Sequence, residues 1–153
     1  MDLDALYKQL VLEESKNPEH RHEIPDHTHS GEGKNPSCGD ELSLHLKVEN
    51  DVIADCAFTG VGCAISQASA SIMSGLLIGK TTAEAKKLLR SFLRLIREGE
   101  VDAKTEEELG DAMAMQDISH MPARVKCAVL AWHTALNLLG EEDIDDAIED
   151  EID

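Results

Sequence analysis

Four cysteines stand at positions 38, 56, 63 and 127 of the 153-residue chain, and three of them share surroundings that the fourth lacks. Cys38 lies in Pro36-Ser37-Cys38-Gly39-Asp40, Cys63 closes Gly60-Val61-Gly62-Cys63, and Cys127 ends Met121-Pro122-Ala123-Arg124-Val125-Lys126-Cys127. Glycine and proline punctuate elements, so these three are expected in loops or first helical turns. Unpaired N–H groups and the positive end of a helix favour thiolate over thiol there, which promotes both metal ligation and nucleophilic attack. Asp40, two residues beyond Cys38, adds a carboxylate. If the four groups converge, three sulfurs and one oxygen suit tetrahedral zinc, and the harder, weaker oxygen ligand makes such a site more exchangeable than an all-cysteine one. The spacing matches none of the local zinc-ribbon patterns. Two readings therefore stay open on the residues alone: a shared metal site, or cysteines that fill packing gaps.

Cys56 differs, because it alternates with Ala54 and Phe58 on the apolar side of a strand pattern; it is expected in the core. His20, His22, His27 and His29 form two His-x-His pairs that can chelate a metal, against the alternative of a solvated polar linker. Met113 and Met115 are expected to pack a small helix, Trp132 to lie in the core, and His133 to meet solvent.

The elements that must position these groups are legible in the periodicity. Leu3, Leu6, Tyr7, Leu10 and Val11 recur at helical spacing, predicting a helix to about Ser15 before Asn17-Pro18. Residues 17–37 hold three of the four prolines and four histidines without an apolar period and read as a mobile His/Pro-rich loop. Leu42, Leu44, Leu46 and Val48 alternate with polar residues, as do Val52, Ala54, Cys56 and Phe58 beyond Glu49-Asn50-Asp51, predicting a β-hairpin with one buried face. A small-residue helix follows from Cys63 to Ile78, with Ile65, Ala68, Ile72 and Leu76 on one side. Thr81-Thr82-Ala83-Glu84 is a capping box opening another helix through Leu88, Leu89, Phe92 and Ile96. Residues 97–120 are polar and read as an exposed insertion with a short helix around Glu106–Met115. The last helix begins at Pro122, runs to about Leu139 with Val125, Ala128, Trp132, Ala135 and Leu139 on one face, and is ended by Gly140. The expected fold is α+β, a small antiparallel sheet packed on one face by several helices, forming one domain over residues 1–140.

Composition narrows the function. The chain carries 31 acidic against 14 basic residues, a net charge of −17. Nine of those acids and no base lie in residues 141–153, a stretch expected to be a disordered acidic tail. The remaining residues still carry −8, which repels phosphate backbones and anionic lipid and argues against nucleic-acid and membrane partners. No apolar run is long enough to span a bilayer. The N-terminal Met1-Asp2-Leu3-Asp4 lacks the basic start of a secretory signal, so a cytoplasmic location is expected. In that reducing compartment four cysteines argue for metal or sulfur chemistry over disulfides.

The segments Asn35-Pro36-Ser37-Cys38-Gly39-Asp40, Phe58-Thr59-Gly60-Val61-Gly62-Cys63-Ala64-Ile65-Ser66 and Pro122-Ala123-Arg124-Val125-Lys126-Cys127-Ala128-Val129-Leu130-Ala131-Trp132 resemble the three cysteine motifs of the IscU-like iron-sulfur assembly fold. The likeness covers about residues 34–139 and is to the SufU branch in particular. Lys126 stands where IscU proteins place a histidine, and residues 97–120 match the SufU insertion.

The resemblance implies a Zn2+ site formed by Cys38, Asp40, Cys63 and Cys127 in a zinc-dependent sulfurtransferase. It implies a SufS-type cysteine desulfurase as sulfur donor and downstream iron-sulfur assembly proteins as further partners. By the same analogy Cys38 is the persulfide acceptor, freed when a desulfurase histidine takes its place on zinc. Arg124 is a candidate partner for Asp40 or for the persulfide anion, or else a solvated surface residue. The alternatives are a scaffold that assembles a transient [2Fe-2S] cluster on the same cysteines and a structural-zinc interaction module.

Overall fold

A computed structural model describes residues 3–36 and 39–140; Ser37, Cys38 and the acidic stretch 141–153 lie outside the described residues. The order is α1 (Leu3–Ser15), β1 (His29–Asn35), β2 (Asp40–Glu49), β3 (Val52–Val61), α2 (Ala64–Leu77), α3 (Thr82–Glu98), α4 (Ala103–Leu109), a 3₁₀ segment (Gly110–His120) and α5 (Pro122–Leu138). The strands form one antiparallel sheet ordered β1-β2-β3. Helices α2 and α5 lie over the sheet, α1 packs on α2, and α3 and the 3₁₀ segment pack on α5. The α+β expectation holds.

The hairpin β2–β3 turns on Asn50 and Asp51, both with positive φ (51° and 66°), as the tight primed turns require. Asp51 also ties the turn to the start of α3, its carboxylate accepting from Thr82 Oγ1 at 2.6 Å. Leu42, Leu44 and Leu46 are buried in alternation as read from the sequence. On β3 the alternation breaks. Lys47 faces Asp55 but Val48 faces Ile53, so Ala54 is an extra residue in a bulge. The bulge turns Ile53 into the core, leaves Ala54 exposed and Val52 half-exposed, and corrects the strict alternation expected there.

Residues 29–35, read as loop, form β1. Its signal is weak because glycines, not side chains, make its contact with α5: a Cβ on Gly33 would collide with Thr134 Oγ1 and Leu130, and one on Gly31 would meet Leu138 at 2.8 Å. Residues 17–28 have no helix or strand but are hydrogen-bonded to the sheet. His20 O accepts from Phe58 N at 2.8 Å, and His45 Nδ1 accepts from Ile24 N at 2.9 Å. The first of these covers the outer edge of β3, which would otherwise present unpaired groups to another strand.

Phe92 and Trp132 stack 3.8 Å apart at the centre of the helical layer. The Trp132 indole donates to Ser69 Oγ at 2.7 Å, and Ser69 Oγ donates to Ala128 O at 2.6 Å. Of the residues expected in the core, Leu42, Leu44, Leu46, Phe58, Ile65, Ile72, Leu88, Leu89, Phe92 and Trp132 are buried, whereas Val48, Leu76, Val125 and Leu139 are half-buried at its margin. The capping box of α3 forms, with Thr81 Oγ1 accepting from Glu84 N and Glu84 accepting from Thr81 N. The 97–120 insertion is less exposed than its polarity suggests: Leu109, Ala112, Met115 and Ile118 join the main core. His133, expected in solvent, is only half-exposed.

Candidate metal centre

Asp40 opens β2, paired across the sheet with Asn35, and its side chain is almost wholly buried. A buried carboxylate is costly unless polar groups meet it. Here Oδ1 accepts the backbone N–H of Cys63 at 2.9 Å. Cys63 is the N-cap of α2 and its own side chain makes no capping bond. Asp40 therefore satisfies, from the sheet, one of the donors that a helix start leaves open.

Gly62 makes this approach possible. A Cβ there would run into both Ser66 Oγ and Asp40 Oδ1. Gly60, with φ 138°, has Glu41 O where a Cβ would stand, so the end of β3 must pass close over β2 to deliver Cys63. Ser66 Oγ in turn donates to Cys63 O at 3.1 Å, fixing the first turn of α2.

The third group arrives from α5. Cys127 is its sixth residue and 4% exposed, placed in the second turn and not the first, where the sequence reading put it. Its position owes more to packing than to the end of the helix. Asp40, Cys63 and Cys127 bring one ligand atom each to within 4.8 Å of one another. Tetrahedral zinc with bonds of about 2.3 Å to sulfur and about 2.0 Å to oxygen sets its ligands about 3.5–3.8 Å apart, so two sulfurs and a carboxylate oxygen fit with a small contraction. Asp40 and Cys127 are buried, deeper than a site that a partner must reach was expected to lie, and Cys63 is half-exposed.

Among the other candidates, Cys38 lies outside the described residues, in the connection from β1 to β2. Arg124 is exposed in the first turn of α5. Cys56 is fully buried, and burial pushes its thiol up to about 12, only partly offset by its 3.5 Å hydrogen bond to Ser74 Oγ. The four histidines do not gather: His20 is near Glu19, His22 Nδ1 meets Glu23 O, His27 Nδ1 meets Ile24 O, and His29, at the start of β1, meets Thr28. The sequence reading gave no separate role to Gly62 or Ser66, although the Gly-x-Gly pair before a cysteine was visible.

Residues 6–128 match the NifU-like N terminal domain family. Over 134 residues the chain is 42% identical to the iron-sulfur cluster assembly scaffold protein IscU of Thermotoga maritima, covering 88% of this chain and 92% of the relative. It is 37% identical over 131 residues to the zinc-dependent sulfurtransferase SufU of Bacillus subtilis, covering 86% and 87%. A crystal structure from Fervidobacterium islandicum AW-1, of a protein put forward as an iron-sulfur cluster assembly scaffold for the SUF system, matches with TM-score 0.82 at 36% identity. That match covers 88% of this chain and 97% of the other. No described helix is long and apolar enough to cross a membrane.

Proposed function

The chain belongs to the NifU-like N-terminal domain family of iron-sulfur cluster assembly proteins, and from that premise we propose that it is a zinc-dependent sulfurtransferase. Its sulfur donor is a SufS-type cysteine desulfurase, and Cys38, Asp40, Cys63 and Cys127 hold the metal. The observation that carries the reading is the convergence of Asp40, Cys63 and Cys127 from three different elements. Cys38 is two residues from Asp40, so its Cα is tethered within about 7 Å of the Asp40 Cα by two peptide units. Bound to these residues, zinc would keep the thiols deprotonated at neutral pH.

Cys38 is the nucleophile. Its thiolate attacks the outer sulfur of the desulfurase persulfide; the S–S bond to the desulfurase breaks, a new S–S bond forms on Cys38, and the electron pair leaves on the desulfurase cysteine. The exchange is redox-neutral and consumes no oxidant. Asp40, Cys63 and Cys127 keep the fold around the site together while Cys38 reacts, because each is anchored in a strand or helix.

The second reading is a scaffold that assembles a [2Fe-2S] cluster on the same cysteines, and it is favoured by the names of relatives such as the Thermotoga protein. Lys126 weighs against it, since an ammonium in place of an imidazole removes a neutral nitrogen ligand beside Cys127. One experiment separates the two. Metal content of protein purified without added metal is measured together with cysteine-desulfurase turnover in its presence. Zinc with stimulated turnover supports sulfur transfer; iron and sulfide support the scaffold; zinc without stimulation leaves a structural site.

A further inference from the structure

Among the described residues of this acidic chain lies a strongly basic groove. Lys87, Arg90, Arg94 and Arg97 recur at three- and four-residue spacing along α3, and Lys104 faces them from α4 across a cleft of about 590 Å³. Five of the chain's fourteen basic residues line this cleft, against two acids, Asp102 and Glu108. Lys87, Arg94, Arg97 and Lys104 are exposed and Arg90 half-exposed. Like charges on adjacent helical turns repel one another, so the stripe costs stability unless anionic groups meet it. Arg97 reaches Glu98 at 3.8 Å, and Asp102 and Glu108 line the same cleft.

We propose that this groove is the docking site of the chain's own residues 141–153. The charges are complementary: that segment holds nine acids and no base. Thirteen residues span up to about 43 Å, and a domain of this size is about 35–40 Å across, so the segment can follow the surface from Gly140 over about a third of the circumference. Covalent attachment supplies an effective concentration near the millimolar range, enough for a weak, salt-sensitive contact to be populated. This assignment does not depend on the metal site.

Zero-length carbodiimide cross-linking of the full-length protein, mapped by mass spectrometry, tests it, because the reagent joins carboxylates only to amines they already touch. At low salt the acids of 141–153 should link to Lys87 and Lys104 in preference to Lys34 and Lys47. The comparison is informative because α5 ends with Leu138 against Gly31 of β1, so a tail hanging from its attachment would meet the sheet lysines first. Raising salt to about 0.5 M should cut the groove links at least about three-fold. The exposed pair Arg94→Gln and Arg97→Gln should do the same at low salt while leaving the circular dichroism unchanged. Links spread evenly over all lysines, links insensitive to both treatments, or links found only between isotopically distinct copies would overturn the proposal.

Discussion

At the residue scale, the two kinds of cysteine make opposite demands. Cys56 sits neutral in the core, and its raised pKa fixes the sign of a pH effect. An unfolded thiol ionises near about 8.5, whereas the folded one stays protonated to about 12. The stability this contributes is complete below pH about 8.5 and is lost as pH rises toward 12. Cys56→Ser should leave zinc binding intact and cost about 1–3 kcal/mol in urea unfolding, because a hydroxyl replaces a softer group in an apolar site; loss of zinc in that variant would place Cys56 among the ligands. Gly62 makes the complementary case. Gly62→Ala forces a Cβ onto Asp40 Oδ1, and it should weaken zinc about 10–100-fold in a chelator competition while all four cysteines remain. The cysteine motifs were readable as a likeness from sequence, but this role of glycine was not, since it depends on how closely β3 crosses β2.

At the scale of elements, polar groups inside the helical layer decide the packing. Ser69 links α2 to α5 by donating to Ala128 O while accepting from the Trp132 indole. Ser69→Ala should cost about 1–3 kcal/mol, because both partners lose a buried hydrogen bond at once, with a matching change in Trp132 fluorescence. The start of α3 should respond to acid. Hydrogen bonding within the Thr81 capping box, from the Thr81 backbone first, lowers the pKa of Glu84. Its stabilisation is present above the ordinary carboxylate pKa and is lost as pH falls through the lowered folded value; Glu84→Gln should flatten that acid-side slope in thermal melts. Long amphipathic helices and the β2–β3 hairpin were legible because each leaves an apolar period. β1 was not, since Gly31 and Gly33 contact α5 by lacking side chains. The Ala54 bulge was not either, because one inserted residue leaves both flanking alternations looking continuous. The insertion buries Leu109, Ala112, Met115 and Ile118 among many polar neighbours, and its 3₁₀ geometry obscures the helical period.

At the scale of the whole molecule, the site joins a sheet strand, the start of one helix and the second turn of another, so holding a metal there couples the sheet to both central helices. Zinc bound only to the folded chain would add about 2.7 kcal/mol at a hundred-fold excess over its dissociation constant. Chelation should therefore lower the melting temperature, and Cys63→Ala or Cys127→Ala should lower zinc content and melting temperature together. Cys38 should behave differently from those two. It lies in the four-residue connection between β1 and β2, whereas Cys63 caps α2 and Cys127 is embedded in α5. A Cys38→Ala variant should keep part of its zinc through Asp40, Cys63 and Cys127 yet accept no sulfur from the desulfurase. In the unaltered protein treated with desulfurase and cysteine, mass spectrometry should find the persulfide on Cys38. A persulfide chiefly on Cys63 or Cys127, or normal desulfurase stimulation by the Cys38→Ala variant, would move the acceptor role to an anchored cysteine and require the helices themselves to shift during transfer.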